Sequence, residues 1–516
     1  MLEQFPPEIV SNIVSSFDRF DFMQCAQVNR SWRQHLPPYS AHLWEQIHIK
    51  GDHHLVFLAD TTFFGQYIKS CTITMLNDDA MVFLALERLQ GRHLQSLVLD
   101  RFKVKDNKRL ADLLRNLKCE SLVFTGVTGA CLDFIGIITA ASGGGSHMRH
   151  FACHYDGMYP VLMSTFVLPP PPPPPPPDAD NLDLVSLALT PQNLAADWMD
   201  ILQRCSTTLQ HIHIAVSNPT TISCHDIMKT CPRLQSMFIG EFSVPNMLNW
   251  PPTSSDKPGL RYFGHWGLCR DMDVMKFVLQ HQHTLEFLYL DTWVNVQLPP
   301  WHHLNSFQST TLNTLVCNNI HGCTPDTLVS LIRQSPNLDS VVLHPADPIT
   351  DQVWNALRSL DTLKCLSIHL ALQHHDGSDR IQEWRTMTRR LGAMKTLRQL
   401  ELNGLNGVSS NECCQLFQML HDIPTLVKLR LSHIRGLDDK ALETLIPHVQ
   451  SMEKLNIANC PIVTARGIKT LIDGLPRLRH MIYSLSCTYN LPFGVYDLIS
   501  YAKSSLGIKL VINRLD

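Results

Sequence analysis

Residues 324–368 read TPDTLVSLIRQSPNLDSVVLHPADPITDQVWNALRSLDTLKCLSI, and this stretch decides the fold. It holds two copies of one pattern, L-x-x-L-x-L: LDSVVL from Leu338 and LKCLSI from Leu363. The alternation at the end of each copy has the period of a strand. Between the copies, Val353, Ala356, Leu357 and Leu360 recur at helical spacing, and Thr350 is placed to cap that helix. Ahead of the first copy, Thr324 is placed as an N-cap and Pro325 at the first helical position. One coil is therefore a short strand, a turn and a helix. Neither element buries its apolar side alone, so coils must stack on one another.

Working outward, clear copies also begin at Leu94, Leu184, Leu209, Leu234, Leu285, Leu397, Leu426 and Met452. Weaker copies begin at Trp44, Ile68, Cys119, Met148, Leu260, Leu312 and Leu478, and a last apolar strand pattern spans Ile508–Ile512. The steps 184–209–234–260, 312–338–363 and 426–452–478 are all 25 or 26 residues. That period lies within the roughly 20–29 residues of leucine-rich repeats. Ser409 and Glu412 have capping-box spacing ahead of Cys413–Leu420. The strand exit LNIANC at Leu455–Cys460, the TCPRLQSM of Thr230–Met237 and the TDQ and DDKAL helix starts resemble cysteine-containing leucine-rich repeats. Most copies lack an equivalent of Cys460, which implies irregular packing at the strand-to-helix turn. The resemblance covers about residues 44–516. It implies an α/β fold, a right-handed solenoid with parallel strands on the concave face and helices on the convex face.

The chain has 516 residues, 44% hydrophobic and 17% charged, which is too apolar for a disordered chain. Lys and Arg number 43 against 46 Asp and Glu, for a formal net charge of −3. Such a balance argues against a nucleic-acid partner held by phosphate contacts. The opening MLEQFPPEIV has no basic stretch followed by an apolar one, so a secretory signal is not expected. No run approaches the roughly 18 apolar residues of a membrane span, and no membrane partner is expected. The 16 cysteines are scattered without a CxxC pair. They read as buried reduced thiols of a cytoplasmic or nuclear protein.

Residues 5–44 stand outside the repeat: FPPEIVSNIVSSFDRFDFMQCAQVNRSWRQHLPPYSAHLW. Pro6 and Pro7 suit a helix start, and Ile9, Val10, Ile13, Val14 and Phe17 make an apolar stripe. Read by periodicity alone, the segment is an N-terminal cap of the kind repeat proteins require. The order of its residues closely resembles an F-box. The matching positions are Phe5-Pro6, Glu8-Ile9, Ile13, Phe17, Asp21-Phe22, Val28-Asn29-Arg30-Ser31-Trp32 and Leu43-Trp44. Phe stands for Leu at three of them and Asn29 for Cys. The resemblance implies a three-helix F-box over 1–44, then the solenoid over 45–516. It implies that Pro6, Ile9, Ile13, Phe17, Phe22, Val28 and Trp32 supply its core and the face for a Skp-type adaptor, and through it a cullin-RING ligase.

Two repeat intervals are about ten residues too long. The first holds Pro169–Pro177, nine prolines in a row, within a Gly/Pro-rich insertion loop drawn over 141–181. Such a run adopts exposed polyproline II. It reads either as a docking peptide for an aromatic-lined groove of a polyproline-binding protein or as a stiff, tolerated loop. The second, around His374–Asp379, is polar and reads as a surface loop.

No catalytic constellation is present: no GxxxxGK[ST] loop, no GxSxG elbow and no HExxH. The pairs His53-His54, His302-His303 and His374-His375 have no Cys at metal spacing, so neither metal nor other cofactor is expected. The F-box and leucine-rich-repeat combination implies a non-catalytic receptor that recruits a protein substrate to a Skp–cullin–F-box ubiquitin ligase, for ubiquitination and proteasomal degradation. A non-catalytic repeat scaffold or inhibitor with a cap at its start is the alternative. A repeat-type GTPase activator is a third reading, though such repeats are longer and more uniform. Strand alternation turns Phe238, Tyr262, Trp266, Phe287 and Tyr289 to the concave face, where they would form an exposed aromatic substrate site. A loop over Trp250–Pro258 or Val294–His303 could instead fold across them. Lys428, Arg430 and Lys454 form a second, basic group suited to an acidic or phosphorylated peptide, or an ordinary solvated face.

Overall fold

The computed structural model describes residues 6–15, 39, 44–50, 67–74, 79–101, 106–127, 137–138, 140–141, 148–155, 182–189, 198–214, 223–240, 259–266, 272–291, 301–318, 323–344, 349–369, 386–404, 408–486, 494 and 497–515. They fall into two compact units, Met1–Gly259 and Leu260–Asp516. The first holds helix α1 (Pro7–Ser15) and eight strands: β1 Gln46–Lys50, β2 Ser70–Thr74, β3 His93–Asp100, β4 Lys118–Val127, β5 His150–Tyr155, β6 Ser186–Leu189, β7 His211–Ile214 and β8 Ser236–Ile239. Each pairs in parallel with the next in sequence. The second unit holds β9 Tyr262–Trp266, β10 Phe287–Asp291, β11 Thr314–Asn318, β12 Ser340–His344, β13 Cys365–His369, β14 Gln399–Asn403, β15 Lys428–Ser432, β16 Lys454–Ala458, β17 His480–Ser486 and β18 Lys509–Leu515. Their parallel pairing is likewise sequential. All eighteen copies of the sequence pattern coincide with these strands.

Helices lie between the strands. The first unit has α2 (Asp79–Leu89), α3 (Asn107–Arg115), α4 (Trp198–Arg204) and α5 (Cys224–Thr230). The second has α6 (Met272–His281), α7 (Pro325–Arg333), α8 (Asp351–Arg358), α9 (Ser410–Met419), α10 (Asp439–Leu445), α11 (Ala465–Gly474) and α12 (Asp497–Leu506). Their starts follow from local chemistry. The Thr324 hydroxyl accepts from the Thr327 amide with Pro325 in the first turn, and Ser409 with Glu412 closes a full capping box. Thr350 occupies the cap position of α8, but its hydroxyl makes no capping bond.

The leucine positions form the core: Leu338, Val341, Leu343, Leu363, Leu366 and Ile368 are all buried. A second device ties coil to coil. The residue before the first leucine is Thr or Ser in seven copies, and its hydroxyl donates to the carbonyl at the first position of the preceding copy. These bonds run Thr208–Leu184, Thr284–Leu260, Thr311–Leu285, Thr362–Leu338, Thr396–Leu363, Thr425–Leu397 and Ser451–Leu426, at 2.6–2.9 Å. Each buried carbonyl so satisfied removes a desolvation cost.

Two expectations need correction. The strand-to-helix turn is regular, not irregular, after β14, β15 and β16. Gly404, His433 and Asn459 follow those strands with φ of 83°, 55° and 52°. Their amides donate to Ser432, Ala458 and Ser484 on the next strand. Glycine meets that left-handed geometry without strain, and Asn and His are among the side chains that tolerate it best. Second, the insertion drawn over 141–181 is too wide, because β5 lies inside it. Phe151 and Cys153 are buried there, and β5 pairs with both β4 and β6. That strand is the repeat copy beginning at Met148, so the loop's bounds were drawn across a copy of the pattern. The nine prolines themselves, and His374–Asp379, lie outside the described residues.

Candidate functional site

Helix α1 holds Ile9 and Ile13, two of the residues expected at an adaptor face, and Pro6 stands just before it. Its apolar residues divide by side: Val10 and Val14, one turn apart, are buried, whereas Ile9 is 44% exposed and Pro6 is exposed. A large aliphatic side chain held out of a short helix has surface to give to a partner. Phe17, Phe22, Val28 and Trp32 lie outside the described residues, as do the second and third helices expected for this segment; Ile13 lies in α1.

The aromatic patch is not exposed. Phe238 in the first unit is 1% exposed. In the second unit Tyr262, Phe287 and Tyr289 are 3%, 8% and 1% exposed; Trp266 ends β9. The predicted pairing is present, since Phe287 stands beside Tyr262 in register. What alternation could not report is that every residue of β6, β7, β8 and β10 is buried, on both faces. The phenols are satisfied within their own sheet. The Tyr289 hydroxyl donates to Asp291 Oδ2 at 2.9 Å, and the Asn318 amide donates to both groups. The Tyr262 hydroxyl donates to Glu286 Oε2 at 3.3 Å, beside a bidentate Arg261–Glu286 pair at 2.7–2.8 Å. Buried tyrosines so anchored stabilise the sheet and offer no free anchor. Trp250–Pro258 lies outside the described residues, and the short 3-10 turn Trp301–Ser306 is the described end of the other stretch expected to fold across.

From β11 onward the same face opens. The strand ends become half-buried in β11–β14, and Lys428 and Lys454 are exposed at the starts of β15 and β16. Along the far ends of β13–β16 runs an oriented chain of polar side chains. Asn459 Nδ2 donates to His433 Nε2 at 2.9 Å, and His433 Nδ1 donates to Asn403 Oδ1 at 2.9 Å. Asn403 Nδ2 donates to His369 Nδ1 at 3.0 Å, and His369 Nε2 donates to Ser367 Oγ at 2.9 Å. An amide that donates its Nδ2 to one imidazole nitrogen leaves the ring's other nitrogen to donate onward, Nδ1 in His433 and Nε2 in His369. His344 stacks on His369 with centroids 3.6 Å apart, and burial above all lowers its pKa to about 3. The left-handed turns at His433 and Asn459 aim these side chains along the row. Nothing in the L-x-x-L-x-L pattern announces them, although a polar residue at or just after the seventh position of each copy was there to be read.

Beside this chain lies a buried carboxylate. Glu401, 5% exposed, has Arg430 Nε at 3.4 Å and His369 Nε2 at 3.5 Å. Burial alone would raise its pKa, but the His369 hydrogen bond, the Arg430 charge and a Ser367 hydrogen bond together leave it lowered. Elsewhere, the twelve described cysteines are free, nine of them buried, and burial pushes Cys71 and Cys460 up to about 12. These are unreactive thiols. Among the described residues no group of three or more His, Cys, Asp and Glu could hold a metal, and no helix is long and apolar enough to cross a membrane.

Comparison with known proteins bears on α1. The family model for the F-box domain matches residues 2–36. The chain carries an F-box domain. Pro6, Ile9, Ile13 and the described part of α1 fall inside the match, which ends before β1 opens at Gln46. No curated protein matches the chain. Among solved structures it is similar to a chain of the yeast Rad7 and Elc1 complex, at 12% identity over 89% of this chain and 93% of that one, with a TM-score of 0.30.

Proposed function

We propose that this protein is the substrate-recognition subunit of a Skp–cullin–F-box ubiquitin ligase, working in the cytoplasm or nucleus. The observation that carries the reading is the F-box match at residues 2–36, on a helix that holds Ile9 outward and Val10 and Val14 inward. In it, the F-box docks on a Skp-type adaptor through Pro6, Ile9, Ile13, Phe17, Phe22, Val28 and Trp32. Within each unit the coils are taken as leucine-rich repeats of right-handed winding, as parallel crossovers are. They hold a protein substrate near a charged conjugating enzyme and raise the effective concentration of its lysines. The chain itself makes no bond, and the proteasome consumes the product. The buried aromatic residues leave the open face of β13–β18 as the better substrate surface.

The test is co-expression of the full chain with a Skp-type adaptor. A stable complex is expected. Ile9→Asp should remove it while the fold, read by circular dichroism and melting, is unchanged, because Ile9 is already half in water. Losing a charge-free apolar contact and burying an unpaired carboxylate should weaken binding by at least about 2 kcal/mol. A chain that migrates free of adaptor at micromolar concentration would leave a repeat scaffold with an F-box fold at its start.

A further inference from the structure

The open face of the second unit carries a row of cations that the polar chain does not use. Register places Lys428 beside Lys454, Lys454 beside His480 and His480 beside Lys509, on four consecutive strands β15–β18. All three lysines are exposed. None of them forms an ion pair among the described residues. Two residues further along each strand, on the same face, stand Arg430, Asn456, Ile482 and Val511. Arg430 is held by Glu401, the one carboxylate among the described residues of these two rows from β13 to β18. Ile482 and Val511 are half-buried neighbours. The face thus presents three unneutralised ammonium groups, one guanidinium beside the Glu401 carboxylate and a small apolar step next to them. Burial, then the charges of Lys509 and Lys454, lowers the pKa of His480, as expected of an imidazole between two ammonium groups.

We propose that this row is a docking site for an acidic segment of a protein substrate, one bearing phosphoserine, phosphothreonine or clustered Asp and Glu, with an apolar residue seated on Ile482 and Val511. At about 4.8 Å between strands the row spans roughly 14 Å, the reach of about four extended residues. Two anions about four residues apart would meet Lys428 with Arg430 at one end and Lys509 at the other. The exposed ammonium groups supply point charges, and Arg430, its Nε 3.4 Å from Glu401 and its side chain 35% exposed, supplies a planar fork for oxygen. A nucleic acid fits less well. The chain's net charge is −3, the row is short, and its apolar step has no phosphate to meet. The inference rests on the substrate-receptor reading above.

The experiment uses the full chain purified with its adaptor. The probe is a fluorescein-labelled twelve-residue peptide with two phosphoserines four residues apart and a leucine beside the second. The same peptide unphosphorylated, and a twelve-nucleotide single-stranded DNA, serve as comparisons. The expected result is anisotropy binding that weakens with salt, at least tenfold weaker without phosphate. Lys428→Gln, Lys454→Gln and Lys509→Gln together should reduce it at least tenfold with melting unchanged. Lys440→Gln on α10, remote from the row, should leave it intact. Wild-type binding by the triple variant, no binding by the native chain, or tighter binding of the DNA would each overturn the proposal. Adaptor association is read in the same preparation. Adaptor retained without peptide binding sinks this inference alone; peptide binding without adaptor sinks the ligase reading alone.

Discussion

Glu401→Gln probes the buried charge that positions Arg430. In the folded chain the carboxylate is 5% exposed and faces Arg430 Nε at 3.4 Å and His369 Nε2 at 3.5 Å. Breaking a fully buried pair costs about 3–5 kcal/mol. Both contacts are long, and Arg430 keeps 35% of its side chain in water, so the amide should cost less, about 2 kcal/mol. That is roughly a thirtyfold rise in local opening. Its pH dependence has a definite sign. The folded pKa of Glu401 lies below the ordinary glutamate value of 4.5. The stabilisation is therefore fully present above pH 4.5 and is lost as pH falls through the lower folded value. Arg430 stays charged throughout. Hydrogen exchange at neutral pH should show faster opening of β13–β15 in the variant and little change in β9–β11. Urea unfolding of both proteins should give curves that differ at pH 7 and draw together as pH falls progressively below 4.5. Equal stability at pH 7, or a gap that persists undiminished at low pH, would refute the electrostatic account.

Two further outcomes follow from the coil-to-coil contacts and the corrected insertion. Thr362→Val removes a hydroxyl that donates to Leu338 O at 2.6 Å and keeps the shape; it should lower stability by about 1–2 kcal/mol in urea titration, with Thr362→Ser restoring most of it. Deleting residues 157–180, which spares β5, should leave the melting temperature nearly unchanged, whereas extending the deletion back to Gly143 removes β5 and should unfold the first unit; melting curves of the two variants check this.

Period and composition made the strands legible to the residue. A repeated 25- or 26-residue step fixes which apolar side chains share a core, and the core of stacked coils is little else. The caps at Thr324 and Ser409 were legible because they satisfy amides within three residues of themselves. Exposure was not legible. Alternation says that Tyr289 and Arg430 lie on the non-core side of their strands, but not that one is covered and the other open, since that depends on residues far away in sequence. β5 was legible as the copy at Met148; only the bounds of the neighbouring loop were misplaced, because breaker residues stand on both sides of that short strand. The Asn–His chain was invisible because it joins positions 26–34 residues apart, and it depends on left-handed turns that only the folded backbone displays.

The two candidate surfaces differ in chemistry, and that difference bears on how a receptor of this kind could work. The face on α1 is centred on the exposed aliphatic Ile9, with Glu8 as its one neighbouring charge among the described residues of the helix. Its affinity should change little with ionic strength, because apolar burial is not screened. The row on β15–β18 is cationic and exposed. Its attraction for an anion falls within a Debye length of about 8 Å at physiological salt. On the proposed function, a receptor so divided would stay bound to its adaptor while exchanging substrates, and a charge-adding modification of the substrate would switch only the second contact. Raising salt from 50 to 500 mM should strip substrate and leave adaptor in place. If both partners leave together, the two surfaces do not act as separate sites.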